Sequence, residues 1–273
     1  MKAAAAQPYP AWKLAWKYLH YYATASNAKG HGIHSPFVFN LVTRVLNDAT
    51  VYAAYEKIEA ERRQLLQDTR LLEVDDFGAG SITDATQKRS VRSIAAHALK
   101  TPRYAQLLHR LVRYFNALHV LELGTSLGIT TAYLALANAA ARVQTLEGAA
   151  SIAAAANQLF TDMGIVNTEI ICGNFDDTLP ALLRGNRVPF DFVYIDGNHR
   201  CEPTLRYVAA LLPHIHEGTV LVLDDIHWSA EMEAAWKQIQ QHPSVRLTVD
   251  LFFIGLVFFR SEQKVVQHFT IRF

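Results

Sequence analysis

Apolar and polar residues change their spacing near residue 117, and this change divides the chain into two parts. Up to that point apolar residues recur at helical spacing, without a clear strand pattern, over 12–25, 36–48, 52–68 and 90–116. Pro102 should break the last run in two, because a proline ring removes a hydrogen bond from a helix interior. We therefore expect residues 1–117 to form a helical N-terminal extension or lid.

Beyond residue 117 short apolar runs alternate with helical segments, which predicts a parallel sheet flanked by helices. The predicted strands are 118–123, 142–147, 168–172, 190–196, 219–224, 246–252 and 255–260. So few residues separate the last two strands that they should pair as an antiparallel hairpin. The predicted fold class is α/β, with a Rossmann-like, mostly parallel sheet of seven strands that ends in an antiparallel C-terminal hairpin.

A glycine turn follows the first of these strands and contains Gly124 and Gly128. It leads into a helical run, so backbone N–H groups should point toward a ligand at the edge of the sheet. Ser126 stands where a pyrophosphate-binding loop usually needs another glycine, but its hydroxyl suits an amino-acid carboxylate. Glu122 could meet an ammonium group, and Glu147 could accept hydrogen bonds from ribose hydroxyls. A ligand with an amino-acid tail, a ribose and a base therefore fits better than NAD.

Five short motifs, in this order, resemble those of a known enzyme family. They are Glu122-Leu123-Gly124 with Gly128 and Thr130, Thr145-Leu146-Glu147, Gly173-Asn174-Phe175-Asp176, Tyr194-Ile195-Asp196-Gly197-Asn198-His199 and Gly218-Thr219-Val220-Leu221-Val222-Leu223-Asp224-Asp225. The set resembles class I S-adenosylmethionine-dependent methyltransferases. It is most similar to the catechol and caffeoyl-CoA type and the macrocin-type sugar O-methyltransferases. The resemblance covers residues 118–259 and implies a methyltransferase domain over residues 118–273.

This resemblance implies S-adenosyl-L-methionine as the cofactor and assigns its contacts. The methionine portion should lie against Glu122, Gly124, Ser126, Gly128 and Thr130. Glu147 should hold the ribose, whereas Phe175 and Asp176 should flank the adenine by stacking and by a hydrogen bond. Gly173 and Asp196 complete the predicted set of cofactor-binding residues.

The carboxylates of Asp196, Asp224 and Asp225 follow two apolar strands and should meet at one edge of the sheet. They would repel one another unless a cation bound them or protons were taken up. Metal-dependent catechol-type enzymes hold two aspartates and an asparagine around a divalent ion here, and Asp225 replaces that asparagine. We predict a site for Mg²⁺ or another divalent cation, which would acidify a substrate hydroxyl. The alternative is that Asp224 and Asp225 only cap a loop and contact the methionine portion.

His199 is the predicted catalytic base, together with Asp196. Catechol-type enzymes place a lysine at this position, whereas the macrocin-type pattern, Asp-Gly-Xaa-His, is closer to this sequence. An imidazole titrates near neutral pH and can take a proton from a hydroxyl group. His227 is a rival base, and Trp228 could form a wall for an aromatic or sugar substrate.

Composition narrows the partners of this chain. The 273 residues carry a formal net charge of +1, which gives no overall attraction to nucleic acid. We see no signal peptide and no apolar run near the roughly 18 residues that a membrane span requires, so we expect a cytoplasmic protein. The aromatic segment at 12–22 is interpreted as docking on the chain's own catalytic domain, with a membrane interface or another subunit as alternatives, and it suggests a possible homodimer. Cys172 and Cys201 are expected to be buried free thiols.

The leading functional hypothesis is O-methylation of a small hydroxylated molecule. One alternative is an RNA methyltransferase, favoured by a basic stretch at 86–113 that contains no acidic residue. Another is a catalytically silent methyltransferase-like scaffold. A histidine-bearing loop at 29–36 could cover the site, whereas the glycine-rich segment at 76–81 lacks a preceding apolar strand and is interpreted as a loop.

Overall fold

The computed structural model describes residues 7–26, 34–74 and 87–273. Most of the predicted cover loop, the segment at 76–81 and the first residue of the basic stretch lie outside these ranges. The chain divides into two compact units. We call Ala49–Phe190 the central unit, and Met1–Asp48 together with Asp191–Phe273 the terminal unit. The predicted division at residue 117 stays a prediction.

The helices and strands follow one another in chain order. The helices are α1 (Ala11–Thr24), α2 (Pro36–Leu41), α3 (Ala53–Leu65), α4 (Val91–Ala98), α5 (Pro102–Tyr114), α6 (Ile129–Ala135), α7 (Ala150–Met163), α8 (Phe175–Gly185), α9 (Cys201–Leu211) and α10 (Ala230–Gln240). The strands are β1 (Leu71–Val74), β2 (Gln87–Ser90), β3 (His119–Leu123), β4 (Arg142–Glu147), β5 (Thr168–Cys172), β6 (Phe190–Ile195), β7 (Ile215–Asp224), β8 (Leu247–Asp250), β9 (Ile254–Phe258) and β10 (Gln267–Thr270). A π-helical turn, Val42–Leu46, continues α2, and a short 3₁₀ turn, Leu212–His214, follows α9.

In the central unit β4 lies between β3 and β5, and both pairings are parallel. The register places Leu123 opposite Leu146 and Glu147 opposite Cys172, so the ends of these strands lie side by side. Val120, Leu121 and Leu123 are fully buried, because a parallel strand covered on both faces needs apolar side chains along its whole length. The predicted parallel strands are confirmed, and their carboxyl ends form one edge.

The terminal unit contains the antiparallel part of the fold. β9 pairs antiparallel with both β7 and β8, which confirms the predicted C-terminal hairpin. β10 adds a further strand parallel to β8, so the structure has one more strand here than the sequence predicts. Its exposure alternates along only four residues, a signal too short for a prediction from periodicity. The α/β class with a mostly parallel sheet and antiparallel C-terminal strands is confirmed.

The region before residue 117 contains two strands that the sequence did not predict. β1 and β2 pair antiparallel, with Leu72 opposite Arg89. Glu73, Lys88 and Arg89 make these strands polar, and their pairing rather than their apolar content defines them. The predicted break at Pro102 is confirmed, since α5 begins with this proline.

Two smaller expectations can be compared with the structure. Both cysteines are free, but Cys172 is exposed at the end of β5 rather than buried, because this strand is only partly covered. No helix within the described residues combines the length and apolar character needed to cross a bilayer.

Candidate functional site

The glycine turn after β3 is fastened to the end of β4 by Glu147. The N–H of Ser126 donates to Glu147 Oε2 at 2.8 Å, and the N–H of Ala149 donates to Oε1 at 3.0 Å. Ser126 has φ +48°, a left-handed conformation that a side chain rarely adopts, and its bond to Glu147 helps to hold it there. The N–H of Gly124 also donates to the carbonyl oxygen of Leu146 at 3.0 Å. The turn is therefore built before any ligand arrives.

Glu147 has an environment suited to binding hydroxyl groups. Burial raises the pKa of its carboxyl group, and the backbone N–H groups that donate to it oppose this rise. A carboxylate offers about four lone-pair positions. The N–H groups of Ser126 and Ala149 use two of them, and the N–H of Gly148 also interacts with this group. The ionised group thus retains acceptor positions for further donors, such as a pair of adjacent hydroxyls.

Gly128 is required by two separate features of the fold. Its φ of +83° lies in the left-handed region, at the residue that precedes α6. A β-carbon at this position would lie 2.8 Å from Phe160 Cε1 and 3.2 Å from the β-carbon of Ala156. The glycine therefore allows the turn to pass close to α7, which brings the start of α6 over the strand ends.

Glu122 lies beneath the turn and is fully buried. Its Oε2 accepts hydrogen bonds from the hydroxyls of Thr131 at 2.5 Å and Thr145 at 2.7 Å. Thr125 in turn lies 2.6 Å from the Thr145 hydroxyl. The sequence suggested that Glu122 meets an ammonium group, and the structure places its carboxylate in a threonine network that ties β3, β4 and α6 together.

The segment after β5 brings the predicted adenine residues beside Glu147. The N–H of Gly173, which has φ +140°, donates to the carbonyl oxygen of Glu147 at 2.8 Å. Asn174 then caps α8 by accepting a hydrogen bond from the N–H of Asp176 at 3.0 Å. Phe175 is only partly buried and Asp176 is exposed, so neither belongs to the core. Their location leaves both side chains accessible to a ligand at this edge.

In the terminal unit β6 delivers Asp196 to a compact group of polar side chains. The hydroxyl of Tyr194, which is fully buried, donates to Asp196 Oδ2 at 3.0 Å. The other carboxylate oxygen, Oδ1, lies 3.5 Å from His199 Nε2. This carboxylate favours the imidazole tautomer with its proton on Nε2, which leaves the lone pair on Nδ1. The pair has the arrangement of a base and the group that orients it.

The turn that presents His199 is locally strained. Asn198 has φ +68° and His199 has φ +33°, so two consecutive non-glycine residues adopt positive φ. Such residues persist where the surroundings hold them, and they cluster at functional sites. The side-chain amide of Asn198 donates to the hydroxyl of Tyr207 at 3.0 Å, which anchors the turn to α9. Sequence patterns do not reveal this strain.

Trp228 lies beside His199 as a partly buried aromatic wall. The ring centroids are 5.7 Å apart, with 52° between the planes. Both backbone polar groups of Trp228 form hydrogen bonds. Its N–H donates to the carbonyl oxygen of Asp225 at 2.9 Å, and its carbonyl oxygen accepts from the N–H of Tyr9 at 2.9 Å. The N-terminal segment therefore supports a residue that lies next to the predicted base.

Comparison with known proteins finds a similarity over part of this chain. Residues 121–226 match a family model described as a methyltransferase domain. This match covers less than half of the 273 residues. A curated relative, the catechol O-methyltransferase of Niastella koreensis, is 30% identical over 128 residues. That alignment covers 46% of this chain and 57% of the relative, so the chain spans little more than half the length of the relative.

Solved structures support a methyltransferase-like fold for this chain. A methyltransferase of Podospora anserina bound to S-adenosylhomocysteine has a TM-score of 0.58 at 11% identity, over 93% of this chain and 98% of that chain. An O-methyltransferase of Bacillus cereus bound to the same molecule has a TM-score of 0.56 at 19% identity, over 77% and 92%. At such low identities these structures establish the fold alone, and they confirm the class I methyltransferase architecture that the motifs predicted.

The predicted metal ligands lie in the terminal unit. Within the described part of the chain, no three histidine, cysteine, aspartate or glutamate side chains are placed to hold a metal ion. Asp224 is buried at the last position of β7, whereas Asp225 has φ +52° and donates its N–H to the carbonyl oxygen of Phe253 at 2.7 Å. Asp196, Asp224 and Asp225 are therefore not grouped around a shared ion position in this arrangement.

His227 has a structural role that the sequence did not reveal. Its Nε2 lies 2.7 Å from Asp250 Oδ2, and its Nδ1 lies 3.0 Å from Glu233 Oε1. Burial favours the neutral imidazole, but the hydrogen bonds and charges of Asp250 and Glu233 outweigh it and raise the pKa of His227. With both nitrogens facing carboxylates, the protonated ring donates twice and has no lone pair for a substrate. This geometry disfavours His227 as the rival base.

The basic stretch of the central unit serves the fold in several places. Lys88 lies 3.7 Å from Glu73 on the neighbouring strand. Arg110 is buried, and the guanidinium of Arg113 lies 4.9 Å from the centre of the Tyr52 ring. Because these side chains contact other residues of the chain, the stretch does not present all of its charges on one face.

Proposed function

We propose that this protein is an S-adenosylmethionine-dependent O-methyltransferase that acts on a small hydroxylated molecule. The match to a methyltransferase domain supports transfer of a methyl group, and the relative named a catechol O-methyltransferase supports an oxygen acceptor. The single observation that carries the proposal for this chain is the pairing of His199 with Asp196, 3.5 Å apart, inside the matched residues.

The proposed cofactor site lies in the central unit, on the prebuilt turn and the strand ends next to it. Glu147 accepts the ribose hydroxyls at its remaining lone pairs, and the side chain of Phe175 stacks on the adenine. The methionine carboxylate binds at the hydroxyl of Ser126 and the N–H groups of the turn. The other proposed contacts in this unit are Glu122, Gly124, Gly128, Thr130, Gly173 and Asp176. A cofactor contact at Asp196, which belongs to the terminal unit, stays a prediction of the sequence.

His199 removes the acceptor proton in the proposed reaction. When bound, S-adenosylmethionine supplies an electrophilic methyl group on a sulfonium. With Nε2–H facing Asp196, Nδ1 of His199 would accept the proton of the substrate hydroxyl. The hydroxyl oxygen would gain the methyl group, and the broken C–S bond would leave S-adenosylhomocysteine. Asp196 then stabilises the imidazolium, and Tyr194 holds the carboxylate in place. Positioning of the two reactants provides most of the remaining acceleration, since an in-line displacement needs little covalent assistance.

No step of this proposal passes through a metal ion. The three aspartates predicted as ligands are not grouped around a shared ion position, and His199 alone accounts for removal of the proton. We therefore expect methyl transfer to continue at a similar rate in the presence of EDTA. A cytoplasmic location and a homodimer stay predictions of the sequence.

Purified protein can be tested with S-adenosylmethionine and a panel of catechols, phenols and sugars, with S-adenosylhomocysteine formation as the readout. His199→Asn should lower kcat by about 100-fold or more while cofactor affinity stays unchanged. His97→Asn, at an exposed helical position in the central unit, serves as the control and should retain full activity. Cofactor binding without turnover on the whole panel would instead support the silent scaffold, and transfer to RNA would support the RNA methyltransferase.

A further inference from the structure

Helix α1 has an apolar face that points away from the protein. Trp12 is 74% exposed, Trp16 70%, Leu19 60% and Tyr22 48%. Their spacing of four, three and three residues places them along one side of the helix. None of the exposed residues of α1 is a lysine, arginine, aspartate or glutamate. Contiguous exposed apolar surface of this kind marks an interaction site.

The opposite face of α1 already supplies the contacts that fold this helix onto the terminal unit. Leu14, Tyr18 and Tyr21 pack with Phe252, and Phe253 joins the same cluster. Tyr22 lies near this cluster, with its ring centroid 6.3 Å from that of Tyr18, whereas Trp12 and Trp16 are not members of it. The two tryptophans are therefore not the residues that pack α1 onto the terminal unit.

An ionic contact fixes the same inner side of α1. Lys17 Nζ lies 2.8 Å from Glu233 Oε1, and the hydroxyl of Tyr9 donates to Glu233 Oε2 at 2.9 Å. Since Glu233 also holds His227, the helix is anchored to α10 and cannot easily turn its aromatic residues inward.

Two basic side chains border this face, Lys13 and Arg272. The first acidic residue of the chain is Asp48, whereas residues 1–47 contain five lysines and arginines. Lys13 Nζ lies 4.0 Å from the centre of the Tyr9 ring at the edge of α1. The guanidinium of Arg272 lies 4.2 Å from the centre of the Tyr22 ring, next to the outward face. A partner with negative charge and an apolar interior complements these features.

We propose that the outward face of α1 binds the surface of an anionic lipid membrane. Tryptophan and tyrosine favour the boundary between headgroups and acyl chains, where the ring is apolar and its polar atom remains hydrated. A helix that lies in this boundary buries its apolar face while nearby basic side chains attract anionic lipids. Trp12, Trp16 and Leu19 supply the apolar contact, and Lys13 and Arg272 supply the positive charge.

A second copy of the chain fits this face less well. Full coverage of the four side chains would bury roughly 500–600 Å² on one copy. A stable complex usually buries about 800 Å² on each partner. A two-fold dimer would also bring the same acid-free segment of each copy together, so its positive charges would face their own counterparts.

Vesicle flotation of the full chain tests the proposal. Vesicles of phosphatidylcholine mixed with phosphatidylglycerol should bind the protein, and pure phosphatidylcholine vesicles should bind it much less. The double variant Trp12→Ser, Trp16→Ser should lower the bound fraction at least about tenfold. Val166→Ser changes another apolar side chain, 93% exposed in the central unit, and should bind like the unchanged protein. Lys13→Glu should weaken binding to the anionic vesicles.

Several results would overturn this assignment. The protein could ignore the anionic vesicles, bind both kinds of vesicle equally, or keep its affinity after loss of both tryptophans. Analytical ultracentrifugation measures the oligomeric state. If the unchanged protein is a dimer and the double variant is a monomer, the outward face of α1 binds a second copy of the chain instead of a membrane. All of the substituted side chains are at the surface, so a thermal melt should show that every variant is folded. The test does not depend on methyl transfer, and its result is separate from that of the proposed function.

Discussion

Replacement of Glu147 by glutamine tests the proposed cofactor site directly. The amide keeps one oxygen acceptor, but its NH₂ group must face one of the two backbone N–H groups that now donate to the carboxylate. These donors belong to Ser126 at 2.8 Å and Ala149 at 3.0 Å. Glu147→Gln therefore removes one hydrogen bond from the turn and replaces a charged acceptor of the ribose hydroxyls by a neutral one.

The expected loss of affinity follows from these bonds. A hydrogen bond to a charged group contributes about 1.5–3 kcal/mol, and the neutral amide gives up that charge toward the ribose. Because about 1.4 kcal/mol corresponds to a factor of ten in affinity, Glu147→Gln should weaken binding of S-adenosylhomocysteine about 10- to 100-fold. Isothermal titration calorimetry measures this change without need of a methyl acceptor.

The pH dependence gives a second readout for Glu147. Burial raises the pKa of this carboxyl group above its ordinary value, and the ionised form is the one that accepts two ribose hydroxyls. Cofactor affinity should therefore fall as pH is lowered through the raised pKa, and the glutamine variant should lack this transition. The raised pKa affects folding stability in the opposite direction. It stabilises the folded state at pH values below the ordinary pKa of the carboxyl group, and this stabilisation is lost as pH rises through the raised pKa.

Glu169→Gln is the matched control for this substitution. Glu169 lies on the neighbouring strand β5, where its carboxylate pairs with Arg142 at 2.7 Å on an exposed surface. Such a pair contributes about 0–1 kcal/mol, and it lies away from the turn, so cofactor affinity should stay unchanged. Unchanged affinity in Glu147→Gln, or an equal loss in both variants, would refute the assignment of Glu147 to the ribose.

Further expectations follow from individual contacts. Gly128→Ala should lower the free energy of unfolding by about 2–4 kcal/mol, because a β-carbon at this positive φ would clash with Phe160. Gly164 also has a positive φ, but its surroundings are open, so Gly164→Ala should lower the free energy of unfolding by only about 1–2 kcal/mol. Urea denaturation measures both changes. His227→Gln should lower the free energy of unfolding by about 2 kcal/mol at a pH below the ordinary imidazole pKa. Because Asp250 and Glu233 raise the pKa of His227, this loss of stability should shrink as pH rises through the raised pKa. A loss of stability that does not change with pH would contradict the ion-pair account. Trp228→Ala should raise KM for the acceptor with little change in cofactor affinity, and an unchanged KM would exclude this ring as a substrate wall.

The antiparallel hairpin and the parallel strands could be predicted because each is encoded over a few consecutive residues. The run that became β3 is mostly apolar, with Val120, Leu121 and Leu123 among its five residues, which favours burial. Pro102 ends one helical run wherever the rest of the chain lies. The turn at Gly124–Gly128 is local in the same sense, since its backbone conformation needs glycines at particular positions. These features depend on neighbours in sequence.

Other features exist only because the tertiary structure brings distant residues together. β1 and β10 are short and partly polar, and each becomes a strand because a partner strand completes its hydrogen bonds. The two carboxylates beside His227 come from α10 and from β8, and their approach raises the pKa of its imidazole. Apolar runs and glycine turns are properties of a segment, so the sequence alone predicts them. The charge state of a side chain depends on which groups the completed fold places beside it, and only the tertiary structure decides that.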